Sequence, residues 1–151
     1  MSKLYAQSFV YDKTILEDLF AVIDTLYNKM QLDENGYPVN FGFAEFYVVN
    51  SCLFCELCFK AFALKAGNDV EREHNLLHLF DQLPEKIQYQ IASNTMATFG
   101  PSTDYVTVFR DFLEKEKDNF IVFRYLIFSE FEGYTCCSFL RQLSLVLKGM
   151  L

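Results

Sequence analysis

The sequence predicts an all-α fold, one domain over residues 1–151 built as a bundle of five to six helices. Apolar residues recur at three- and four-residue spacing in several long segments, which is the period of a helix that buries one face. Glycine, proline and asparagine separate these segments, and the connections between them are short. No internal repeat, low-complexity tract or long linker divides the 151 residues, which are enough for a single core.

Residues 10–30 form the first predicted helix. Their apolar side chains recur with helical spacing, at Ile15, Leu16, Leu19, Phe20, Ile23, Leu26 and Tyr27. Asp12 or Thr14 can cap the start of this helix with a side-chain oxygen. The glycine and proline within residues 33–38 predict a loop after it.

The second predicted helix begins after Asn40, which can cap it, and runs to about Lys65. Its sequence is apolar almost all round, and a helix of this kind is buried on most sides. We therefore place it at the centre of the bundle. Gly67-Asn68 ends it, because glycine readily takes the positive φ of a helix C-terminus.

Two shorter helices are predicted next. The third helix starts near residues 72–74 and ends or kinks at Pro84, since proline lacks a backbone N–H and crowds the preceding turn. Residues 85–98 continue as a separate helix, and its predicted buried side consists of Ile87, Ile91 and Met96.

The last third of the chain predicts two further helices, with an ambiguous segment between them. Thr103 or Asp104 caps the first, in which residues 114–117 carry alternating charges that predict a solvated face. Residues 120–128 have β-type composition, but a short apolar run does not distinguish helix from strand. Residues 130–148 form the final predicted helix, which Gly149 ends.

The composition predicts a folded protein with a large aromatic core. Hydrophobic residues make up 52% of the chain and aromatic residues 17%, with 17 Phe, 9 Tyr and no Trp, and this content excludes a disordered chain. The formal net charge of −7 argues against broad non-specific binding to nucleic acid, which requires a positive surface. The net charge does not exclude a local basic pocket on an otherwise acidic protein.

We predict a reduced, cytoplasmic protein with no membrane segment. The N-terminal Met1-Ser2-Lys3 leads into polar residues and not into the apolar core of a signal peptide. The five cysteines have no disulfide-scaffold spacing. The longest apolar stretch, residues 41–64, is interrupted by Glu45, Asn50, Glu56 and Lys60.

Cys52, Cys55 and Cys58 form a C-x-x-C-x-x-C run on the second helix. Similar spacing occurs in iron–sulfur ligand runs, but those lie on loops that wrap a cluster. On a helix, steps of three residues spread the sulfur atoms around the axis, and no fourth cysteine with a following proline completes the run. We expect buried thiols and neither a metal nor another cofactor.

Glu56 and Lys60 lie four residues apart on the same apolar helix, with the acid before the base. Because a buried charge needs a partner, the two side chains are expected to form an ion pair that ties helices together. A polar pocket between helices is the alternative interpretation.

His74 and His78 are the two histidines of the chain. Cleavage of RNA by general acid–base catalysis needs a group that titrates near neutrality and a cation on the phosphate. His74 stands at a predicted helix start, where its imidazole can bond a carbonyl or a carboxylate such as Glu56. His78 lies one turn further on, where a histidine on an apolar face is more often a core residue than a base.

The segment 56–84 contains two runs, Glu56-Leu57-x-x-Lys60-Ala61 and His74-Asn75-Leu76-x-x-Leu79-Phe80-x-x-Leu83-Pro84. On these runs it resembles the HEPN superfamily, a group of small bacterial and archaeal helical domains that includes many RNA-cutting toxins and defence effectors. In that family a histidine-x-leucine pair opens the second of these helices, which implies a structural role for His74.

A shorter likeness is Phe123-Arg124-Tyr125 followed by Glu130 and Glu132, which resembles the arginine–tyrosine–acid segment of many HEPN domains. Arg124 and Tyr125 have two possible roles. Arg124 could be held by an acidic residue of the same chain, or the two residues could form a surface that contacts a second subunit or a nucleotide. Over residues 41–147 the resemblance implies a HEPN-like bundle, often a homodimer, in bacterial defence or toxin–antitoxin systems.

Catalytic HEPN proteins carry an arginine followed, after four to six residues, by a histidine in a late helix, and two copies meet across a dimer. No histidine follows Arg110, Arg124 or Arg141 in this chain. Arg72 and His78 fit the spacing, but they lie earlier in the chain than the family places the motif.

We therefore expect a non-catalytic HEPN-like domain that acts by binding a protein or a nucleic acid. One alternative is a metal-independent ribonuclease in which Arg72 holds the phosphate and His78 is the general acid or base across a homodimer. Another is a structural subunit of a larger assembly, in which the many phenylalanines and tyrosines cover a partner.

Overall fold

The computed structural model describes residues 12–35, 38–39, 41–70, 72–117 and 137–151. Within these ranges the chain forms six helices, which confirms the predicted all-α bundle of five to six helices. They are α1 (Lys13–Lys29), α2 (Phe41–Lys65), α3 (Leu76–Asp81), α4 (Glu85–Met96), α5 (Tyr105–Glu116) and α6 (Cys137–Met150). The segment 120–128, for which helix and strand were both open, lies outside the described residues, as does the predicted cap Asn40.

α2 is the central helix, as its apolar sequence predicted. It packs against α1, α3 and α6, while α4 packs against α5 and α6 and α3 packs against α5. Most of its 25 residues are buried, but Phe43 and Phe46 in its N-terminal half are exposed. The first turns of α2 therefore depart from the prediction of a helix buried on most sides.

Side-chain caps fix the starts of three helices. The Asp12 carboxylate accepts the N–H of Thr14 at 2.9 Å, and the Asp104 carboxylate accepts the N–H of Thr107 at 3.0 Å. Both residues were predicted caps, and each such cap contributes about 1 kcal/mol. Because Asp12 has extended backbone at the N-cap, α1 begins at Lys13, three residues later than predicted.

The start of α3 differs from the prediction. The helix begins at Leu76 and not near residues 72–74, because Asn75 is its N-cap. The Asn75 side chain accepts the N–H groups of Leu77 and His78 at 3.0 and 3.1 Å. His74 therefore lies in the turn before the helix, with consequences for the site described below.

Two of the helix ends predicted at glycine or proline are confirmed, and a third is wrong. Gly67 has φ of +88° after α2, and Pro84 separates α3 from α4 as predicted. Gly149 does not end the last helix, since α6 continues to Met150.

A series of phenylalanine rings crosses the core and joins four helices. Phe80 of α3 lies 6.0 Å from Phe59 of α2 and 4.8 Å from Phe109 of α5, measured between ring centroids. Phe139 of α6 lies 5.6 Å from Phe109 and 5.1 Å from Phe112. Each such pair adds about 0.5–1.5 kcal/mol beyond the apolar area that it buries.

One charged residue of α5 lies inside the bundle. The run 114–117 was predicted to form a solvated face, yet Glu116 is only 2% exposed. Its position explains the burial, because Glu116 follows the buried Phe109 and Leu113 by seven and three residues and so shares their face. Lys117 instead pairs with Glu114 near the surface.

Candidate functional site

The polar centre of the described structure is an ion pair inside α2. The Lys60 Nζ donates to the Glu56 Oε1 at 2.9 Å, and the two side chains are 8% and 4% exposed. The helix places them one turn apart on the same side, as the four-residue spacing predicted. In so apolar a surrounding, each charge depends on the other for its stability.

His74 extends this pair to the surface. Its Nδ1 lies 2.9 Å from the same Glu56 Oε1, although 18 residues separate the two along the chain. The carboxylate is buried and the imidazole is 55% exposed. Glu56, Lys60 and His74 therefore form one cluster, the interior cluster, which ties the turn before α3 to the central helix.

The two oxygens of the Glu56 carboxylate differ in their hydrogen bonds. Glu56 Oε2 is buried and makes no hydrogen bond to any described residue. The Oε1 atom thus accepts from both partners while its neighbour accepts from neither. The Glu56–Lys60 ion pair itself lies within α2, and it is His74 that joins the pair to another segment of the chain.

Glu73 organises the turn beside the interior cluster. Its Oε1 accepts the backbone N–H groups of His74 and Asn75 at 2.9 and 2.8 Å. Its Oε2 lies 3.4 Å from the Nδ1 of His78. The hydrogen bond from the Asn75 backbone, followed by those from His74 and His78, lowers the pKa of the Glu73 carboxyl despite its partial burial.

His78 is exposed and does not lie in the core. The sequence favoured a core residue on an apolar face, but 64% of the side chain is exposed. The physical reason is helical spacing: Leu76, Leu79 and Phe80 share the buried face of α3, and His78 falls on the opposite side of this short helix.

Arg72, the other half of the predicted catalytic pair, is also exposed. It makes no ion pair with another residue in the described part of the chain. Arg124 and Tyr125, the remaining predicted binding residues, lie outside the described residues. The structure thus brings Glu56, Lys60 and His74 together and places Arg72 and His78 on the surface of the neighbouring turn.

The cysteines of α2 are buried thiols, as expected. Cys52, Cys55 and Cys58 are all 0% exposed. Burial raises the pKa of Cys55 to about 12 and raises the pKa of the other two well above its ordinary value. Thiols that stay protonated are poor nucleophiles and poor metal ligands.

No three His, Cys, Asp or Glu side chains come together as a metal site within the described ranges. Among those residues, one helix, α2 over Gly42–Lys65, is long and apolar enough to cross a membrane, and 67% of its most apolar part is buried inside the bundle. The core helix of a soluble protein has the same properties.

Exposed apolar side chains form the feature that sequence reasoning missed. Phe46 is 66% exposed and Phe43 40%, both in the first turns of α2, and Val39, just before the helix, is 55% exposed. Because α2 is apolar on every side, its sequence gives no signal that distinguishes these residues from the buried ones. Tyr89 of α4, at 59%, is another exposed aromatic residue.

Comparison with known proteins found no matching family model, no matching curated protein and no matching solved structure.

Proposed function

We propose that this chain is a non-catalytic, HEPN-like helical domain that acts by binding another protein, in the bacterial defence or toxin–antitoxin setting that the sequence resemblance implies. One observation carries the proposal. Each of the two histidines has a carboxylate of the same chain next to its Nδ1, Glu56 at 2.9 Å for His74 and Glu73 at 3.4 Å for His78.

These carboxylates make the surface around the histidines unsuitable for RNA. A phosphodiester is an anion, and its cleavage requires cations where the charge develops. Lys60 is buried and already bound to Glu56, so it is not available to a phosphate from solution. Arg72 remains as an exposed cation of this turn, next to the anionic Glu73.

A protein fits the rest of the surface better than a nucleic acid does. The net charge of −7 repels polyanions, whereas exposed phenylalanine and tyrosine side chains are typical anchors in protein interfaces. The exposed Phe43 and Phe46 provide such anchors on α2.

A metal-independent ribonuclease is the second candidate, and one observation favours it. Arg72 and His78 are both exposed on one short segment. An exposed imidazole can exchange a proton with a substrate, and an exposed guanidinium can hold a phosphate. In this candidate two such turns would face each other across a homodimer.

A cleavage assay on mixed cellular RNA in the presence of EDTA separates the two candidates. We expect no cleavage by the native protein and none by His78→Ala or Arg72→Ala. Cleavage by the native protein that both substitutions abolish would overturn the proposal in favour of the ribonuclease. His74→Ala is the control, because His74 lies on the interior cluster and not in the Arg72–His78 pair.

RNA binding and molecular mass complete the test. Fluorescence anisotropy with a labelled single-stranded RNA should detect no binding at physiological salt, since affinity carried by phosphates requires several cations. Tight RNA binding that Arg72→Ala weakens would contradict the proposal. Light scattering after size exclusion gives the mass, and a strict monomer would exclude the second candidate, whose site needs two copies.

A further inference from the structure

The exposed apolar residues around the start of α2 form one surface. Phe43 and Phe46 are three residues apart on the helix and therefore neighbours on one side of it. Val39 precedes them, and its N–H donates to the carbonyl of Gln31 at 2.9 Å. We call these three residues, Val39, Phe43 and Phe46, the α2 patch.

Acidic residues flank the α2 patch along the chain. Glu45 lies between its two phenylalanines in sequence, and Asp33 and Glu34 lie in the preceding turn. The antiparallel bridge between Leu32 and Pro38 closes that turn next to the helix start. Neither Glu34 nor Glu45 makes an ion pair with another residue among those described.

One cation offsets these acids in part. The Nζ of Lys29, at the end of α1, lies 6.0 Å from the centroid of the Phe43 ring. This distance is at the limit of a cation–π contact, and it places a positive charge over one aromatic face of the patch. The patch thus already accepts a cation on an aromatic ring while its border stays anionic.

Charge complementarity decides what the patch binds. A second copy of this chain would bring the same acids and a net charge of −7 against its own surface. Anionic lipid headgroups and RNA would meet the same repulsion. A segment with apolar anchors and flanking Lys or Arg matches both the phenylalanines and the acids.

We propose that the α2 patch docks a basic amphipathic segment of a partner protein. Apolar side chains of that segment would cover Phe43 and Phe46, and its Lys or Arg side chains would pair with Glu34 and Glu45. Phe46 is the principal anchor, because at 66% exposed it has more side chain left to bury than Phe43 has at 40%. The inference rests on the proposed function, because it names the surface and the kind of protein that the domain binds.

A designed peptide tests the inference with the full chain. The probe is a fluorescein-labelled amphipathic helix of about 18 residues, with Leu at three- and four-residue spacing and Lys or Arg on the flanks. Its matched control carries Glu in place of every Lys and Arg. Fluorescence anisotropy measures the affinity of each peptide for native protein and for variants whose fold is verified by thermal unfolding.

We expect the native protein to bind the basic peptide and not the acidic one. Phe46→Ser should lower the affinity for the basic peptide at least about tenfold, because it removes the central anchor. The double variant Glu34→Lys, Glu45→Lys should reverse the preference and favour the acidic peptide. Tyr89→Ser removes an equally exposed aromatic residue elsewhere and should change nothing.

Other results would overturn the docking proposal. These are no binding of the basic peptide, equal binding of both peptides, or binding that Phe46→Ser does not change. A homodimer that Phe46→Ser dissociates would assign the patch to a second copy instead. Failure of the proposed function looks different, since it shows as cleavage or tight binding of RNA.

Discussion

The two carboxylate–imidazole pairs of this protein have the same chemistry and different surroundings. Glu56, which faces His74, is 4% exposed and also binds Lys60, whereas Glu73, which faces His78, is 34% exposed and also binds backbone N–H groups. The first pair begins in the core and ends at the surface. The second lies at the surface throughout.

This difference shows how burial sets the energetic weight of an ion pair. Water screens an exposed pair and competes for its hydrogen bonds, so such a pair contributes at most about 1 kcal/mol. A buried carboxylate has no water to replace a lost partner, and breaking its pair leaves an uncompensated charge. We therefore expect substitutions at the interior cluster to affect folding and those at the Glu73–His78 pair to affect it little.

The largest effect should come from Lys60→Met. This substitution leaves the Glu56 carboxylate buried without its ammonium partner, and we expect the free energy of unfolding in urea to fall by about 3–5 kcal/mol. The double variant Glu56→Leu, Lys60→Met removes both charges and should recover most of the loss. A single variant as stable as the native protein would show that the cluster is solvated.

The cysteines of α2 are buried like Glu56 and Lys60, but burial keeps their thiols neutral. Because burial raises the pKa of Cys55 to about 12, its thiolate fraction at pH 8 should be about a thousandfold below that of an unperturbed cysteine. The variant Cys136→Ser keeps only the four cysteines whose burial the structure describes, Cys52, Cys55, Cys58 and Cys137. In this variant we expect labelling by a thiol reagent to be slow until urea unfolds the chain. Fast labelling of Cys52, Cys55 or Cys58 in the native state would contradict their burial.

Replacing each histidine by alanine compares the stability contributions of the two carboxylate–imidazole pairs directly. His74→Ala removes one of two partners of a buried carboxylate, and we expect a loss of about 1 kcal/mol, reduced from the usual value for a charged hydrogen bond because the ring is half exposed. His78→Ala should cost less than about 0.5 kcal/mol. Equal losses in urea unfolding would remove the distinction between the pairs.

The smallest effect concerns the pH dependence at Glu73. Its pKa is lower in the folded chain than the ordinary value of 4.5, so its stabilisation is present above that value and is lost as the pH falls through the folded pKa. Glu73→Gln should therefore flatten the acid side of the stability profile. We expect a change below about 0.5 kcal/mol, because a third of the side chain is exposed and screened. The check is urea unfolding at several pH values between neutrality and acid, and a steeper acid side in the variant would contradict the assignment.

Much of the fold could be predicted from short-range signals. Several correct predictions depend only on residues a few positions apart in the chain. They are the caps Asp12 and Asp104, the breaks at Gly67 and Pro84, and the Glu56–Lys60 pair. The late start of α3 was missed although its signal is also local: the Asn75 side chain accepts the N–H groups of Leu77 and His78, which a helix that began near residues 72–74 would bond to main-chain carbonyls. These are local hydrogen-bond preferences, and a sequence carries them without knowledge of the fold.

The sequence by itself thus determined the all-helical class, most helix boundaries and the ion pair at the heart of α2. Only the tertiary structure decided that His74 meets Glu56 across 18 residues, that Glu116 lies inside, and that Phe43 and Phe46 lie outside. The physical reason is that helical spacing fixes which residues share a face of their own helix, whereas the packing of neighbouring helices decides which faces are covered. On α2, which is apolar on every side, that decision separates the core from the surface proposed to bind a partner.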